Sequence, residues 1–168
     1  MKVFFLIVFV SGLFLGGFWY MTSYNQTFSS VDGGMSFNYP AYISSVNSSG
    51  TMDGFEVSLR ETSSDGYLNP VPLITVSIVG RGSNVPLDKW LLMRGEKTWS
   101  HSVTLPVSIY RTTYDGFSYG WSDGDVSGKA AVLDVGDRVC VIVVYKTTPE
   151  ALRAFNTVLS NIHFALKK

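Results

Sequence analysis

The segment most suggestive of chemistry is a short stretch with a glycine at each end. Residues 116–120 read Gly-Phe-Ser-Tyr-Gly and fit Gly-x-Ser-x-Gly, the pattern in which a serine on a sharp turn is the nucleophile of a hydrolase. Asp134 or Asp137 and then His163 follow, in the order that a serine, aspartate and histidine triad takes in such enzymes. A small serine hydrolase that uses Ser118 and His163 is therefore one candidate function.

The residues around Ser118 nevertheless alternate as those of a strand do. Phe117, Tyr119 and Trp121 fall on one face, and Ser118 lies on the other face with small neighbours. A turn dipeptide, residues 123–124, follows where the hydrolase motif requires a helix. We therefore expect a strand with an aromatic face and no catalytic residues.

A second pattern resembles a calcium-binding loop. Asp123, Asp125 and Asp134 take its first, third and twelfth positions, and calcium binds several converging carboxylate oxygens. Against this, the ninth residue is Ala131, the twelfth is not the bidentate glutamate, and the flanks read as strands. We expect a polar hairpin turn and no bound metal. A calcium-dependent binding module that uses the three aspartates is kept as an alternative.

Few other side chains suggest chemistry. The two histidines, His101 and His163, have no cysteine nearby to complete a zinc site, and we expect His101 in a loop and His163 on the solvent side of an edge strand. The single cysteine, Cys140, lies in an apolar run and is expected to pack as a small hydrophobic residue. Because 13 basic residues balance 13 acidic ones, no basic face for nucleic acid is indicated, and no cofactor is predicted.

The elements that must position these residues are mostly strands. From Asp32 onward apolar and polar residues alternate, most clearly over residues 55–60 and 74–78. The second half of the chain reads as a meander of adjacent antiparallel strands, with turns at residues 115–116, 123–124 and 136–137. Residues 139–145 are apolar on both faces and are expected to be central in the sheet.

Two segments have helical spacing. One runs from about residue 86 to residue 94, and the other begins at Pro149 behind a capping Thr148. The apolar face of the second consists of Leu152, Phe155, Val158 and Leu159. Residues 162–166 are expected to return as an edge strand. The elements predict an α+β fold, in which an antiparallel meander sheet packs against a C-terminal helix and one shorter helix.

Three segments resemble the PsbP-like domain family. Residues 34–40 (Gly-Met-Ser-Phe-Asn-Tyr-Pro) are similar to its opening motif, residues 87–91 (Leu-Asp-Lys-Trp-Leu) to its first helix, and residues 159–164 (Leu-Ser-Asn-Ile-His-Phe) to its helix-to-strand ending. Tyr42 is nearest to the tryptophan that the family usually has after the proline. The resemblance implies the family's α+β fold and points to its membrane-anchored bacterial members of unknown function. It transfers no metal-binding or partner-binding residue.

The N-terminus predicts a location. Lys2 is followed by an uncharged apolar run from Val3 to Met21, whose 19 residues span roughly 28 Å as a helix, close to the ~30 Å core of a bilayer. Bulky residues surround Gly16 and Gly17, so we expect a retained anchor rather than a cleaved signal. With Lys2 in the cytoplasm, the rest of the chain faces the extracytoplasmic side. The lipid bilayer is the predicted partner, and a protein partner of unknown identity is left open.

The predicted organisation is an anchor at residues 1–21, a linker at 22–32 and one PsbP-like domain at 33–168. We expect a non-catalytic binding or assembly module, with a membrane-tethered serine hydrolase and a calcium-dependent module as the alternatives. One further surface is aromatic, and it is either core or an exposed patch that binds a partner or a glycan. It consists of Phe117, Tyr119 and Trp121, with Tyr110 and Tyr114 on the neighbouring strand.

Overall fold

The computed structural model of the protein describes residues 24–51, 54–62, 66–82, 85–93, 99–101, 107–109, 112–114, 116–123 and 126–165. The helices in these ranges are α1 (Leu87–Met93) and α2 (Pro149–Asn161). The strands are β1 (Asn25–Ser30), β2 (Met35–Pro40), β3 (Ser45–Thr51), β4 (Gly54–Arg60), β5 (Ile74–Gly80), β6 (Trp99–His101), β7 (Val107–Ile109), β8 (Thr112–Tyr114), β9 (Gly116–Asp123), β10 (Val126–Val135), β11 (Arg138–Val144) and β12 (His163–Phe164).

Seven strands form one antiparallel sheet in the order β3-β4-β5-β11-β10-β9-β6. β11 lies fourth, between β5 and β10, so its predicted central position is confirmed. Gly136 has φ of 77° in the two-residue turn that joins β10 to β11, a conformation that glycine adopts without strain. The predicted strands at residues 55–60 and 74–78 are β4 and β5.

The two faces of β11 contribute to two separate hydrophobic clusters. Cys140, Ile142 and Val144 lie in the larger cluster, whereas Val139 and Val141 pack in the smaller one. α2 and β2 cover the larger cluster, and α1 supplies two residues to the smaller one. The sheet is therefore covered on both faces at its centre, which explains why β11 has no polar face.

α2 begins where the sequence indicates. Thr148 is its N-cap, and the Thr148 side chain accepts a hydrogen bond from Ala151 N at 3.3 Å. The buried residues of α2 are Ala151, Ala154, Phe155 and Val158. Leu152 and Leu159, which the sequence places on the buried face, are only partly buried. The helix is rotated so that Ala151 and Ala154 face the core, and their small side chains let the helix backbone lie close to it.

The chain enters the fold earlier than predicted. Residues 22–32 are predicted to be a linker, but residues 25–30 form β1, which pairs with β2 over its whole length. β12 pairs with the other side of β2, and it confirms the predicted closing edge strand. An uncharged polar segment resembles a linker in composition. The hydrogen bonds to β2 and the contact of Phe28 with Phe37, with ring centroids 5.1 Å apart, bring it into the domain.

The predicted meander is interrupted at its first turn. β8 and β9 are predicted neighbours, but β8 pairs with β7 in a separate two-stranded sheet, and β9 pairs with β10 and β6. One residue separates Tyr114 from Gly116, which is too short for the two-residue reversal of a hairpin. β8 and β9 therefore belong to different sheets and are not the two strands of a hairpin.

Within residues 24–165 the predicted α+β class, with antiparallel sheets and a C-terminal helix, is confirmed. The shorter helix predicted at residues 86–94 is α1. The predicted anchor, residues 3–21, lies outside the described residues. In the described part of the chain, no helix is both long enough and apolar enough to cross a membrane.

The packing of α2 gives a test of the fold. Phe155 is 3% exposed in the larger cluster, whereas the adjacent Asn156 faces solvent. Phe155→Ala should lower the free energy of unfolding by about 3–5 kcal/mol, because it removes an aromatic side chain from a packed core. The control Asn156→Ala should change it by less than about 0.5 kcal/mol. Urea unfolding of residues 24–168 measures both, and equal losses would contradict this packing.

Candidate functional site

Ser118 lies within β9, between β10 and β6. Its Cα partner in the ladder is Ala131, which is fully buried in the larger cluster. Residues 116–120 are all strand, and Gly116 lies so close to β10 that an added Cβ would be 2.5 Å from Val132 O. Gly116 is therefore required for close strand packing, and Ser118 does not lie on the strand-to-helix turn that a hydrolase nucleophile needs.

His163 lies on a different sheet from Ser118. It is the exposed residue of β12, with Ser36 of β2 as its Cα partner, so its predicted solvent-facing edge position is confirmed. The carboxylate of Asp134, which the hydrolase hypothesis places between them in the triad, is bound by Arg81. The strand pairing thus does not assemble the serine, aspartate and histidine set.

Two aspartates of the predicted calcium loop, Asp123 and Asp134, lie far apart on paired strands. Asp123 is the last residue of β9, and its Cα partner is Val126 at the start of β10. Asp134 lies eight residues further along β10, roughly 26 Å away at about 3.3 Å per residue. Asp125 lies outside the described residues. One cation cannot bridge Asp123 and Asp134, and the part of the chain described here holds no cluster of three possible metal ligands.

Asp134 belongs to a cluster of charged groups at one end of the large sheet. Its Oδ2 accepts a hydrogen bond from Arg81 Nη1 at 2.6 Å, and its Oδ1 accepts one from Gly136 N at 3.0 Å. Arg81 Nη2 also donates to Gly136 O at 2.7 Å. Because Arg81 directly follows β5, these bonds fasten the turn between β10 and β11 to the end of β5.

Arg138 links the three-stranded sheet of β1, β2 and β12 to the same end. Its Nη1 and Nη2 lie 3.5 Å from Gly33 O and Ala165 O, in the turn before β2 and just after β12. Its Nε is 3.8 Å from Asp137 Oδ1, whose side chain is largely exposed. We call this region, which comprises residues 31–34, 81, 134–138 and 165, the charged end.

The opposite end of the molecule exposes large hydrophobic side chains. Six large hydrophobic residues are exposed in the described part of the chain, and five of them lie at this end, which we call the apolar end. These five are Tyr24, Tyr42, Tyr67, Leu68 and Val71. The sixth, Val31, lies in the turn at the charged end. The sequence carries no sign of this grouping, because its members come from three separate segments of the chain and share no local motif.

Tyr42 connects the apolar end to α2. Its hydroxyl donates a hydrogen bond to Glu150 O at 2.6 Å, in the first turn of the helix. Desolvation raises the pKa of Tyr42 to about 12, although the positive charge of Arg153 acts in the opposite direction. Tyr42 is therefore a neutral phenol at physiological pH, with an apolar ring and a hydroxyl bound to the backbone.

The side chains of the predicted aromatic surface, residues 117, 119 and 121 with 114, lie outside the described part of the structure, as does the whole of Tyr110. The backbone register sets residue 117 opposite Val132, which belongs to the smaller cluster beside α1. His101 is predicted to lie in a loop, but it is in β6, opposite residue 119. A three-residue strand is too short to produce a recognisable alternation.

Cys140 is free and fully buried on the central strand. Burial raises the pKa of its thiol, and the positive charge of Arg138 only partly opposes this. The thiol is therefore protonated at neutral pH and inaccessible to solvent, so its predicted role as a small packed hydrophobic residue is confirmed.

This chain is similar to a protein of known structure in its fold. No protein-family model and no curated protein matches it. The solution structure of cyanobacterial PsbP (CyanoP) from Synechocystis sp. PCC 6803 is similar, with a TM-score of 0.52 and 14% sequence identity, over 83% of this chain and 92% of that one. At this identity the similarity establishes the fold alone. The chain has a PsbP-like α+β fold, as the sequence resemblance implies.

The bonds of Asp134 predict a structural role that is independent of metal. Asp134→Asn should lower the free energy of unfolding by about 1–2 kcal/mol, because it removes the charge that Arg81 binds at a partly buried site. A double-mutant cycle with Arg81→Met should give a coupling energy of about 1 kcal/mol. Urea unfolding with and without calcium measures these values, and calcium should add no stability.

Asp137 offers the matched control. Its side chain is 77% exposed and 3.8 Å from Arg138, so Asp137→Asn should change the free energy of unfolding by less than about 0.5 kcal/mol. Stability that rises with calcium in the unmodified chain and not in Asp134→Asn would contradict the structural role and restore the calcium hypothesis.

Proposed function

We propose that this protein is a membrane-anchored, extracytoplasmic PsbP-like domain that acts as a non-catalytic binding or assembly module. The observation that carries the proposal is the likeness of fold, which extends over 83% of the chain. A fold alone does not specify a function. The proposal is therefore limited to a class, namely a domain that works by presenting a surface near a bilayer.

The N-terminal sequence supports the membrane anchor. The apolar run from Val3 to Met21 has the length of a bilayer-spanning helix. β1 begins at Asn25, so only three residues lie between the end of that run and the folded domain. A domain tethered this closely stays at the membrane surface, where it can contact lipid or a neighbouring membrane protein.

The positions of the chemically suggestive residues support a non-catalytic role. Ser118 lies inside a strand, and His163 lies on the edge of another sheet. The carboxylate of Asp134 is occupied by Arg81 and by the backbone of Gly136. Each of these residues has a role in strand pairing or in fastening a turn, and the proposal assigns no reaction to them.

The anchor is tested by placing charge inside the apolar run. In a bacterial host, the full chain should stay in the membrane after an alkaline carbonate wash, and alkaline phosphatase fused after Lys168 should be active. Val10→Arg with Leu13→Arg should release the chain or block its insertion, because each arginine costs about 2.5–3.5 kcal/mol in a membrane-spanning helix.

Thr22→Glu with Ser23→Glu is the matched control, since these residues follow the run and acidic residues contribute little to orientation, and it should leave membrane retention unchanged. N-terminal sequencing of the purified chain completes the test. A mature N-terminus located after residue 16, or an inactive phosphatase fusion, would contradict a retained anchor with an external domain.

The non-catalytic role is tested by ester hydrolysis. The unmodified chain, Ser118→Ala and the control Ser58→Ala, which removes a hydroxyl from β4, should all hydrolyse a panel of chromogenic esters at the same background rate. The reason is that Ser118 is not on a nucleophile turn and has no triad assembled beside it by strand pairing. Activity in the unmodified chain and in Ser58→Ala, together with its loss in Ser118→Ala, would refute the proposal.

A further inference from the structure

We propose that the apolar end of the domain rests on the lipid bilayer, with its exposed tyrosines and the uncharged loop of residues 66–73 in the interfacial layer. This inference rests on the anchor of the proposed function and adds an orientation and a lipid-contacting surface to it. The surface consists of Tyr24, Tyr42, Tyr67, Leu68 and Val71.

A continuous set of hydrogen bonds joins these residues at one end of the fold. Ala41 N donates to Tyr24 O at 3.0 Å, which places the first described residue beside the connection that carries Tyr42. That connection is in turn bonded to the end of β4, since Ser44 N donates to Arg60 O at 3.1 Å.

The loop that carries the other three residues continues from the same point. Thr62 Oγ1 donates to Ser44 Oγ at 2.7 Å, and Thr62 pairs in a β-bridge with Leu68. Asn69 N donates to Glu61 O at 3.1 Å. Hydrogen bonds thus link the three segments that form the apolar end. β1 begins at this end, so the chain that precedes it joins the domain here.

The tether brings this end to the membrane. Three peptide units separate Met21 from Tyr24, and they reach at most about 10–11 Å when fully extended. The headgroup layer on each side of a bilayer is roughly 5–8 Å thick, from the difference between total and hydrocarbon thickness. Tyr24 must therefore lie in or just outside the headgroups if residues 3–21 span the bilayer. The turn that carries Val31 is about 20 Å away along β1.

The chemistry of the apolar end fits an interfacial layer. Three of its five exposed hydrophobic residues are tyrosines, which are enriched where an apolar ring meets lipid and a hydroxyl meets water. Residues 66–73 read Gly-Tyr-Leu-Asn-Pro-Val-Pro-Leu and carry no charge. The loop is also fixed locally, because Asn69 Oδ1 accepts a hydrogen bond from Val71 N at 3.2 Å. A fixed loop loses little conformational entropy on insertion.

Charged side chains lie at both ends of the domain, and those at the apolar end flank residues 66–73, with Asp65 before them in the chain and Glu150 and Arg153 beside Tyr42. The charged end carries Asp32, Arg81, Asp134, Asp137 and Arg138, which remain hydrated when that end faces away from the bilayer. At the apolar end, Lys146 forms an ion pair with Glu61 at the base of the loop. Residues 66–73 therefore bring no charge of their own into the interface.

The test uses an environment-sensitive probe on the full chain. A single cysteine at Leu68→Cys is labelled with a nitrobenzoxadiazole fluorophore, and Val31→Cys is the matched control at the opposite end. The buried native Cys140 should take up no label, which the chain without an added cysteine checks. Each protein is reconstituted into vesicles of phosphatidylcholine and phosphatidylglycerol, with and without lipids that carry a doxyl quencher.

The proposal predicts a blue-shifted probe at residue 68 that loses most of its fluorescence to the doxyl lipids, and an unquenched probe at residue 31. Tyr67→Cys gives a second site with the same expectation. If neither end is quenched while the chain resists carbonate extraction, docking is overturned and the anchor stands. Quenching at residue 31 alone overturns the orientation. Loss of the chain from the vesicles overturns both the anchor and the docking.

Discussion

β11 is apolar on both faces, one of them fully buried and the other partly buried, and the arrangement of the other elements depends on covering both. Cys140, Ile142 and Val144 require apolar cover on one side, while Val139 and Val141 require it on the other. α2 and the three-stranded sheet of β1, β2 and β12 cover the face with Cys140, and α1 contributes to the cover of the face with Val139. Since a strand cannot be central without neighbours, β5 and β10 complete the burial. The PsbP-like arrangement follows from satisfying both faces at once.

The strands of this sheet also separate two chemically different ends. At one end a tight glycine turn leaves backbone groups that Arg81 and Asp134 bind, so charged groups collect there. At the other end longer connections leave and re-enter the sheet, and they hold tyrosines and prolines. β1 begins at that second end, with Asn25 opposite Pro40. The two ends of the fold thus present chemically different surfaces.

Much of the fold is predictable from local patterns, because burial on one or two faces leaves a period in the sequence. Such a period predicts β4, β5, β11 and α2. β1 and β6 are missed because a polar strand and a three-residue strand carry no such period. The candidate site is less predictable still. Arg81 and Asp134 meet across 53 residues of sequence, and only the register of β5, β11 and β10 brings them together.

The central claim is that the anchor and the strand pairing of β1 hold one end of a PsbP-like domain against the membrane. The most direct measurement is paramagnetic relaxation of backbone amide signals, with the full chain in lipid nanodiscs that contain a gadolinium-chelating lipid. The account predicts broadening of residues 41–44 and 66–73, with sharp signals from residues 31–34 and 136–137. Broadening of the second group instead, or equal broadening of both, would contradict it.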